Sequence, residues 1–228
     1  MKYLGGKTRI AKQLVSVMQA NAPNAEWYVE PFVGGFNVIQ HVSGMKRWGN
    51  DKQPYLIALF RAIRKGWMPP DDISEEHYNH VKFNRHLYDP HYVGFVGYAG
   101  GFGGILFRGF SKNKIGTNYF KQTKNVLLKQ APKLSNVKMT CFSYEDLCIP
   151  DNSIIYCDPP YENTLQLYYT GSFNSAAFWD WAREMRKKHR VFISSYEAPS
   201  DFRAIWKQPI RLLAGEENQK KVLETLWI

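Results

Sequence analysis

The stretch Ser153-Ile154-Ile155-Tyr156-Cys157-Asp158-Pro159-Pro160-Tyr161 decides how this chain is read. Its first five residues are a short apolar run, the pattern of a buried strand. The strand ends on an acid and two prolines. Proline fixes its own φ and carries no backbone N–H. The corner just past the strand therefore presents a carboxylate and bare carbonyls, and no donor. Such an acceptor-only corner suits an amino group, and Tyr161 beside it can stack on a planar ring. A turn that merely ends a strand is the plainer reading. Other acids at strand ends weigh against it, because ligands of open α/β sheets bind beyond the carboxyl ends of the strands.

Those acids appear on working outward. Trp27-Tyr28-Val29 reads as a short strand running into Glu30-Pro31, then the turn Phe32-Val33-Gly34-Gly35 and a short helix with Phe36, Val38, Ile39 and Val42 apolar. A second strand near Lys46–Gly49 ends at Asn50-Asp51. The spacing from Glu30 to Asp51 is close to that at which an acid reaches a nucleotide ribose, whose two vicinal hydroxyls are donors. Thr8–Gln19 predicts a helix capped by Thr8, with Ile10, Leu14, Val15 and Met18 on one face. Pro54 opens another, with Leu56, Ile57, Leu59, Phe60 and Ile63 apolar. Val137–Cys141 and Val191–Ser195 read as strands, and Ser175–Lys188 as a helix turning Ala177, Phe178, Trp181 and Met185 inward. Pro209–Leu213 and Val222–Ile228, separated by the polar run 214–221, read as a terminal hairpin. Strands alternating with helices predict an α/β sheet with helices on both faces. Residues 1–64 and 136–228 form the sheet domain, and 65–135 is an insertion of mainly helical and loop character.

Composition fits one domain with an insertion: 228 residues, 44% hydrophobic and 22% charged. The net charge of +10 points to a polyanionic partner. Its distribution is uneven. Residues 61–140 hold 13 basic and 5 acidic side chains, while 141–228 hold 10 and 12. No acid occurs from Pro90 to Tyr144, a run that contains Arg108, Lys112, Lys114, Lys121, Lys124, Lys129, Lys133 and Lys138. An acid-free run of this length reads as a polyanion-binding surface. Within it, residues 92–110 interleave glycines with Tyr92, Phe95, Tyr98, Phe102, Phe107 and Phe110. So many glycines disfavour a regular helix. They suit either a loop that lets backbone approach a ligand or a small core wrapped by a loop.

Other classes drop out. No apolar stretch has the length of a membrane span, and the first residues lack a signal core. Cys141, Cys148 and Cys157 form no metal or disulfide pattern, so a reducing, cytoplasmic setting is expected. Gly5-Gly6-Lys7-Thr8 imitates the end of a phosphate-binding loop, but the required earlier glycine is Met1. His77 and His80, with His86 and His91 nearby, lack an acid or cysteine to complete a metal site. No metal is expected.

The motifs resemble the Dam-like DNA adenine-N6 methyltransferases. Asp158-Pro159-Pro160-Tyr161 matches their DPPY signature, and Tyr3-Leu4-Gly5-Gly6-Lys7 their N-terminal aromatic-x-Gly-Gly-Lys segment. Tyr28-Val29-Glu30-Pro31-Phe32-Val33-Gly34-Gly35 matches their cofactor loop, and Asn50-Asp51 their second cofactor acid. The order of these pieces also matches, with a recognition insert before DPPY. The resemblance implies a Rossmann-like methyltransferase sheet with an inserted target-recognition domain. It implies S-adenosylmethionine as methyl donor, double-stranded DNA as partner and the cytoplasm of a bacterial or phage-infected cell. Tyr3, Lys7, Glu30, Pro31, Phe32, Gly34, Gly35, Asp51 and Asp158 are its expected cofactor contacts. Asp158, Pro159, Pro160 and Tyr161 form its catalytic corner. Arg108, Lys112, Lys114, Lys121 and Lys124 would contact DNA. Two departures stand out: Phe36 replaces a usual glycine, and Tyr3 a common tryptophan.

By this reading the adenine leaves the base stack, and Asp158 with the Pro159 carbonyl binds its amine. Alternatives are a DNA-binding protein of the same fold without methyl transfer, and methylation of cytosine N4 or of adenine in RNA. Glu197 either lines the cleft or sits in an exposed turn. Tyr168 and Tyr169 belong either to a loop over the base or to local packing.

Overall fold

The computed structural model describes residues 1–112, 116–161, 173–211 and 221–228. Among them are helices α1 (Ala11–Asn21), α2 (Pro54–Arg64), α3 (Glu75–Phe83), α4 (Pro90–Ala99), α5 (Tyr119–Gln130) and α6 (Ser175–Met185). The strands are β1 (Trp27–Glu30), β2 (Lys46–Asn50), β3 (Val137–Thr140), β4 (Ser153–Cys157), β5 (Arg190–Ser195), β6 (Ala204–Arg211) and β7 (Lys221–Trp227). They form one seven-stranded sheet in the order β3-β2-β1-β4-β5-β7-β6. The first five strands pair in parallel, and β7 pairs antiparallel with both β5 and β6. The chain steps outward from β1 to β3 and then returns to place β4 on the other side of β1. That reversal opens a crevice at the carboxyl ends of β1 and β4, where α/β sheets bind ligands.

Side-chain alternation explains the layers. Tyr28, Ile154, Tyr156 and Phe192 point to one face, into a large core shared with α1, α2, α4 and α5. Ile155, Cys157, Val191 and Ile193 point to the other, against Phe178 and Ala182 of α6. Ile10, Leu14, Val15 and Met18 are buried as their spacing predicts. Thr8, however, does not cap α1: Ile10 occupies the N-cap, with no side-chain hydrogen bond. Residues 7–10 form a turn instead, which places Lys7 for other work. The short helix expected after Gly35 is a single 3-10 turn, Ile39–His41.

The glycine-rich segment also differs from its expected loop. Residues 90–99 are α4, with Gly94 and Gly97 inside it. A Cβ on Gly94 would lie 2.3 Å from the Tyr55 carbonyl oxygen of α2. Glycine here lets two helix backbones touch, and the packing that results outweighs its intrinsic cost of about 1 kcal/mol. Val93, Phe95, Val96, Phe120 and Leu127 lie in the same core as Leu56 and Phe60. Helices α4 and α5 are thus joined to α2 through apolar contact.

Candidate active site

Three acids stand at the carboxyl edge of the sheet, as their strand-end positions predict. Glu30 closes β1, Asp51 follows β2 and Asp158 follows β4. Lys7 meets the last of these from the turn before α1. Its Nζ lies 2.8 Å from Asp158 Oδ1 and 2.9 Å from Oδ2, and it also donates to the Gly5 carbonyl at 2.9 Å. The ammonium is only 7% exposed and the carboxylate 22%. Burial pulls the Lys7 ammonium down, but Asp158 and Glu224 outweigh it and hold the pKa above the ordinary lysine value. Removing either partner of such a pair leaves an uncompensated buried charge.

Tyr161 completes the corner. Its hydroxyl lies 3.1 Å from Asp158 Oδ1 and 2.6 Å from Glu224 Oε1. Lys7 Nζ stands 5.0 Å from its ring centroid, and Tyr196 packs edge-on at 4.6 Å. Pro159 is buried and Pro160 half-buried. Glu224, on β7, was not expected. It is 1% exposed, and its phase with Leu226 along β7 was the available signal.

The glycine loop is bound to one of the neighbouring acids, Asp51. Gly34 N donates to Asp51 Oδ2 at 2.9 Å, and Gln53 N to Asp51 Oδ1 at 3.0 Å. Burial pushes the Asp51 carboxyl up to about 6 against the pull of those two amides. Glu30 accepts the Tyr28 hydroxyl at 2.9 Å. Burial raises its pKa well above the carboxylate range despite that bond. Gly34 has φ +49°, and a Cβ there would meet the Tyr3 ring at 2.8 Å. Tyr3 in turn packs on Tyr98 at 5.7 Å, from α4. The departure at Phe36 has a local reason. Its φ is +56°, the left-handed region glycine favours. Its ring is fully buried and sits 4.3 Å from Phe60, so burial compensates the strain. Phe32 joins the aromatic cluster of Tyr144, Phe173 and Phe178 on the α6 face. The Pro31 carbonyl is held by Asn50 Nδ2 at 3.1 Å.

Sequence reasoning missed three supports. Asn50 is fully buried and also bonds the Phe142 carbonyl and amide and the Thr140 hydroxyl, tying the ends of β1, β2 and β3 together. Gln130, the last residue of α5, donates to the carbonyls of Gly35 at 3.0 Å and Phe36 at 3.2 Å. Phe142 is 55% exposed just past β3. Only an apolar residue at a strand end hinted at the last of these.

The remaining expected residues lie apart from this cleft or outside the described residues. Arg108, Lys112 and Lys121 are exposed, and Lys114 lies outside the described residues. Lys112 pairs with Glu75 and Lys124 with Asp71, each at 2.7 Å. Acids of α3 and of the turn before it thus offset part of the basic run. Tyr168, Tyr169 and most of the 214–221 run also lie outside the described residues. Glu197 is exposed. His77 and His80 bond the hydroxyls of Tyr92 and Tyr88, at 3.0 and 2.8 Å. Among the described residues no cluster of metal-ligating side chains occurs, and no helix is long and apolar enough to cross a membrane.

The family model described as D12 class N6 adenine-specific DNA methyltransferase matches residues 3–93 and 107–221. The chain belongs to this family. The match spans the cleft and most of the inserted segment. Among curated proteins, the type II methyltransferase M.FokI of Planomicrobium okeanokoites is 25% identical over 80% of this chain. The chain spans 31% of the length of that relative. The DNA adenine methylase of Escherichia coli K12 is 27% identical over 76% of this chain and 70% of its own length. A tRNA (m1A58) methyltransferase from Aquifex aeolicus superposes on 98% of this chain and 72% of its own, at 9% identity and a TM-score of 0.39. The fold assignment rests on the strand order itself.

Proposed function

We propose that this chain methylates the exocyclic N6 amine of an adenine flipped out of double-stranded DNA, with S-adenosylmethionine as methyl donor. The observation that carries the reading is Asp158. It stands at the switch point after β4, both oxygens held by Lys7, with two prolines behind it that leave no competing amide donor. The adenine amine is a poor nucleophile because its lone pair is conjugated into the ring. Hydrogen bonds from it to the Asp158 carboxylate and the Pro159 carbonyl favour a pyramidal nitrogen whose lone pair is free to attack. No covalent enzyme intermediate is required, and the three cysteines are free thiols away from this role. Catalysis is positioning and electrostatics.

The residues present fit the donor. S-adenosylmethionine supplies an activated methyl group and carries positive charge, and the cleft offers the carboxyls of Asp51, Asp158 and Glu224 beside Lys7. Gly34 and Gly35 let Tyr3 pack directly on the loop backbone, and Pro31 and Phe32 lead into the same loop. Asp51 would accept from the ribose hydroxyls, and exposed Phe142 offers an aromatic face to the adenine. Residues 65–135 act as the target-recognition part. Arg108, Lys112, Lys114, Lys121 and Lys124 contact phosphates there, which offsets the few kcal/mol of unstacking the base. Three free thiols fit a cytoplasmic setting.

The test is labelled-methyl transfer to unmethylated duplex DNA followed by nucleoside analysis. N6-methyladenine is the expected product. N4-methylcytosine would change the acceptor, and no product with intact DNA binding would leave a binding protein of this fold.

A further inference from the structure

Among the described residues, Glu224 is an acid of the cleft that no motif accounts for. It comes from β7, the strand inserted antiparallel between β5 and β6. Its Oε1 lies 2.6 Å from the Tyr161 hydroxyl and 3.7 Å from Lys7 Nζ. Its Oε2 is buried without a well-formed hydrogen bond among the described residues. Lys7 directs its bonds to Gly5 O and to both Asp158 oxygens. The hydrogen-bond donor that reaches Glu224 Oε1 is therefore Tyr161.

A phenol has one proton to donate. Tyr161 stands between two carboxylates, at 2.6 Å from Glu224 and 3.1 Å from Asp158. The shorter contact has the length of a charge-assisted O–H···O bond. If the proton turned toward Asp158 instead, Oδ1 would already hold Lys7 and Tyr161, and both its lone pairs would be occupied. We propose that Glu224 is a positioning residue of the acceptor site: it takes the Tyr161 proton and so leaves the Asp158 carboxylate open to the hydrogens of a substrate amine. This rests on Asp158 being the amine acceptor. Lys7 offsets part of the charge, since one buried ammonium faces two carboxyls.

The groups facing Glu224 are Lys7, Asp158, Tyr161, Tyr156 and Tyr196, and a hydroxyl from Ser194 on β5. Burial raises the Glu224 carboxyl and Lys7 pulls it back.

Two measurements decide the matter. In the methyl-transfer assay, Glu224→Leu should lower kcat about tenfold, the scale of one misdirected hydrogen bond. The donor's KM should change less than kcat, because Glu224 reaches the donor site only through Lys7 and Asp158. Adding Tyr161→Phe to that variant removes the misdirected proton, so it should recover most of the lost rate. Losses that simply add in the double variant would overturn the proposal, since a merely structural Glu224 predicts addition. The second measurement needs no cofactor. With 3-fluorotyrosine at position 161, the fluorine resonance should follow the titration of Glu224 in a step that vanishes in Glu224→Gln. A step that persists there, or no step in the parent, would overturn the proposal. A wild-type chain that shows the step but transfers no methyl group would sink the methyltransferase reading and leave the Tyr161–Glu224 bond standing.

Discussion

Lys7 and Lys121 carry the same charge and are put to opposite use. Lys7 is buried between Asp158 and Glu224, and its place is set by three hydrogen bonds. Lys121 is exposed on the first turn of α5, and among the described residues it has no ion pair. In the cleft, charge is scarce, desolvated and directional, so one displaced atom alters chemistry. On 65–135 it is abundant and screened, so single losses shift affinity by degrees. Beneath that basic surface the same segment is apolar and rigidly packed. It is therefore also a buttress: Gln130 of α5 and Tyr98 of α4 reach the glycine loop and Tyr3.

The largest expected effect tests the cleft side of this contrast. Asp158→Ala should lower methyl transfer by at least about a hundredfold, with circular dichroism unchanged. Its unfolding midpoint should also fall, because Lys7 loses its partner inside the protein. Activity within about threefold of wild type would break the assignment of the acceptor.

Gly94→Ala tests the buttress. The new Cβ would collide with the α2 backbone, so denaturant unfolding should show a loss of about 3 kcal/mol or more. If only DNA affinity changed and the unfolding midpoint stayed, residues 65–135 would be a separable unit.

Asp51→Asn sharpens the electrostatic contrast. The Asp51 carboxyl is raised from 3.8 to about 6, so ionising it costs stability in the fold. Its contribution is fully present below the unfolded pKa of about 3.8 and is lost as pH rises through about 6. The asparagine variant should therefore show a flatter pH–stability curve in ligand-free protein, at a uniform cost at every pH because its amide offers one acceptor oxygen where two backbone amides donate. An unchanged curve would mean that Asp51 is not buried as described.

The smallest effects belong to the basic face. Arg108→Ala and Lys121→Ala should each lower the slope of log affinity against log salt by about one. Lys112→Ala and Lys124→Ala should lower it less, because Glu75 and Asp71 already compete for those ammoniums. Equal slopes for all four would erase the distinction between paired and unpaired surface charge.

Much of the cleft was legible because it is local. An apolar run, an acid and two prolines specify a strand end with an acceptor corner, wherever the strand goes. Glu30 and Asp51 followed from the same rule. The Thr8 cap failed because the segment before α1 is tied down by Lys7, a contact across the molecule that no local propensity reports. The helix over 90–99 was misread for a related reason. Glycine opposes a helix in isolation, and only the close approach of α2 reverses the balance.

The sequence alone determined the alternation of strands and helices, the acids at strand ends, the basic excess in the middle and the family resemblance. Each depends on periodicity, backbone restriction or residue order along a few neighbouring positions. The tertiary structure alone decided what the acids face. Lys7 against Asp158, Tyr161 against Glu224, and Gln130 against the glycine loop join residues far apart in the chain. Hydrogen bonds act over a few ångströms of space, and that separation exists only once the sheet has brought β1, β4 and β7 to one edge.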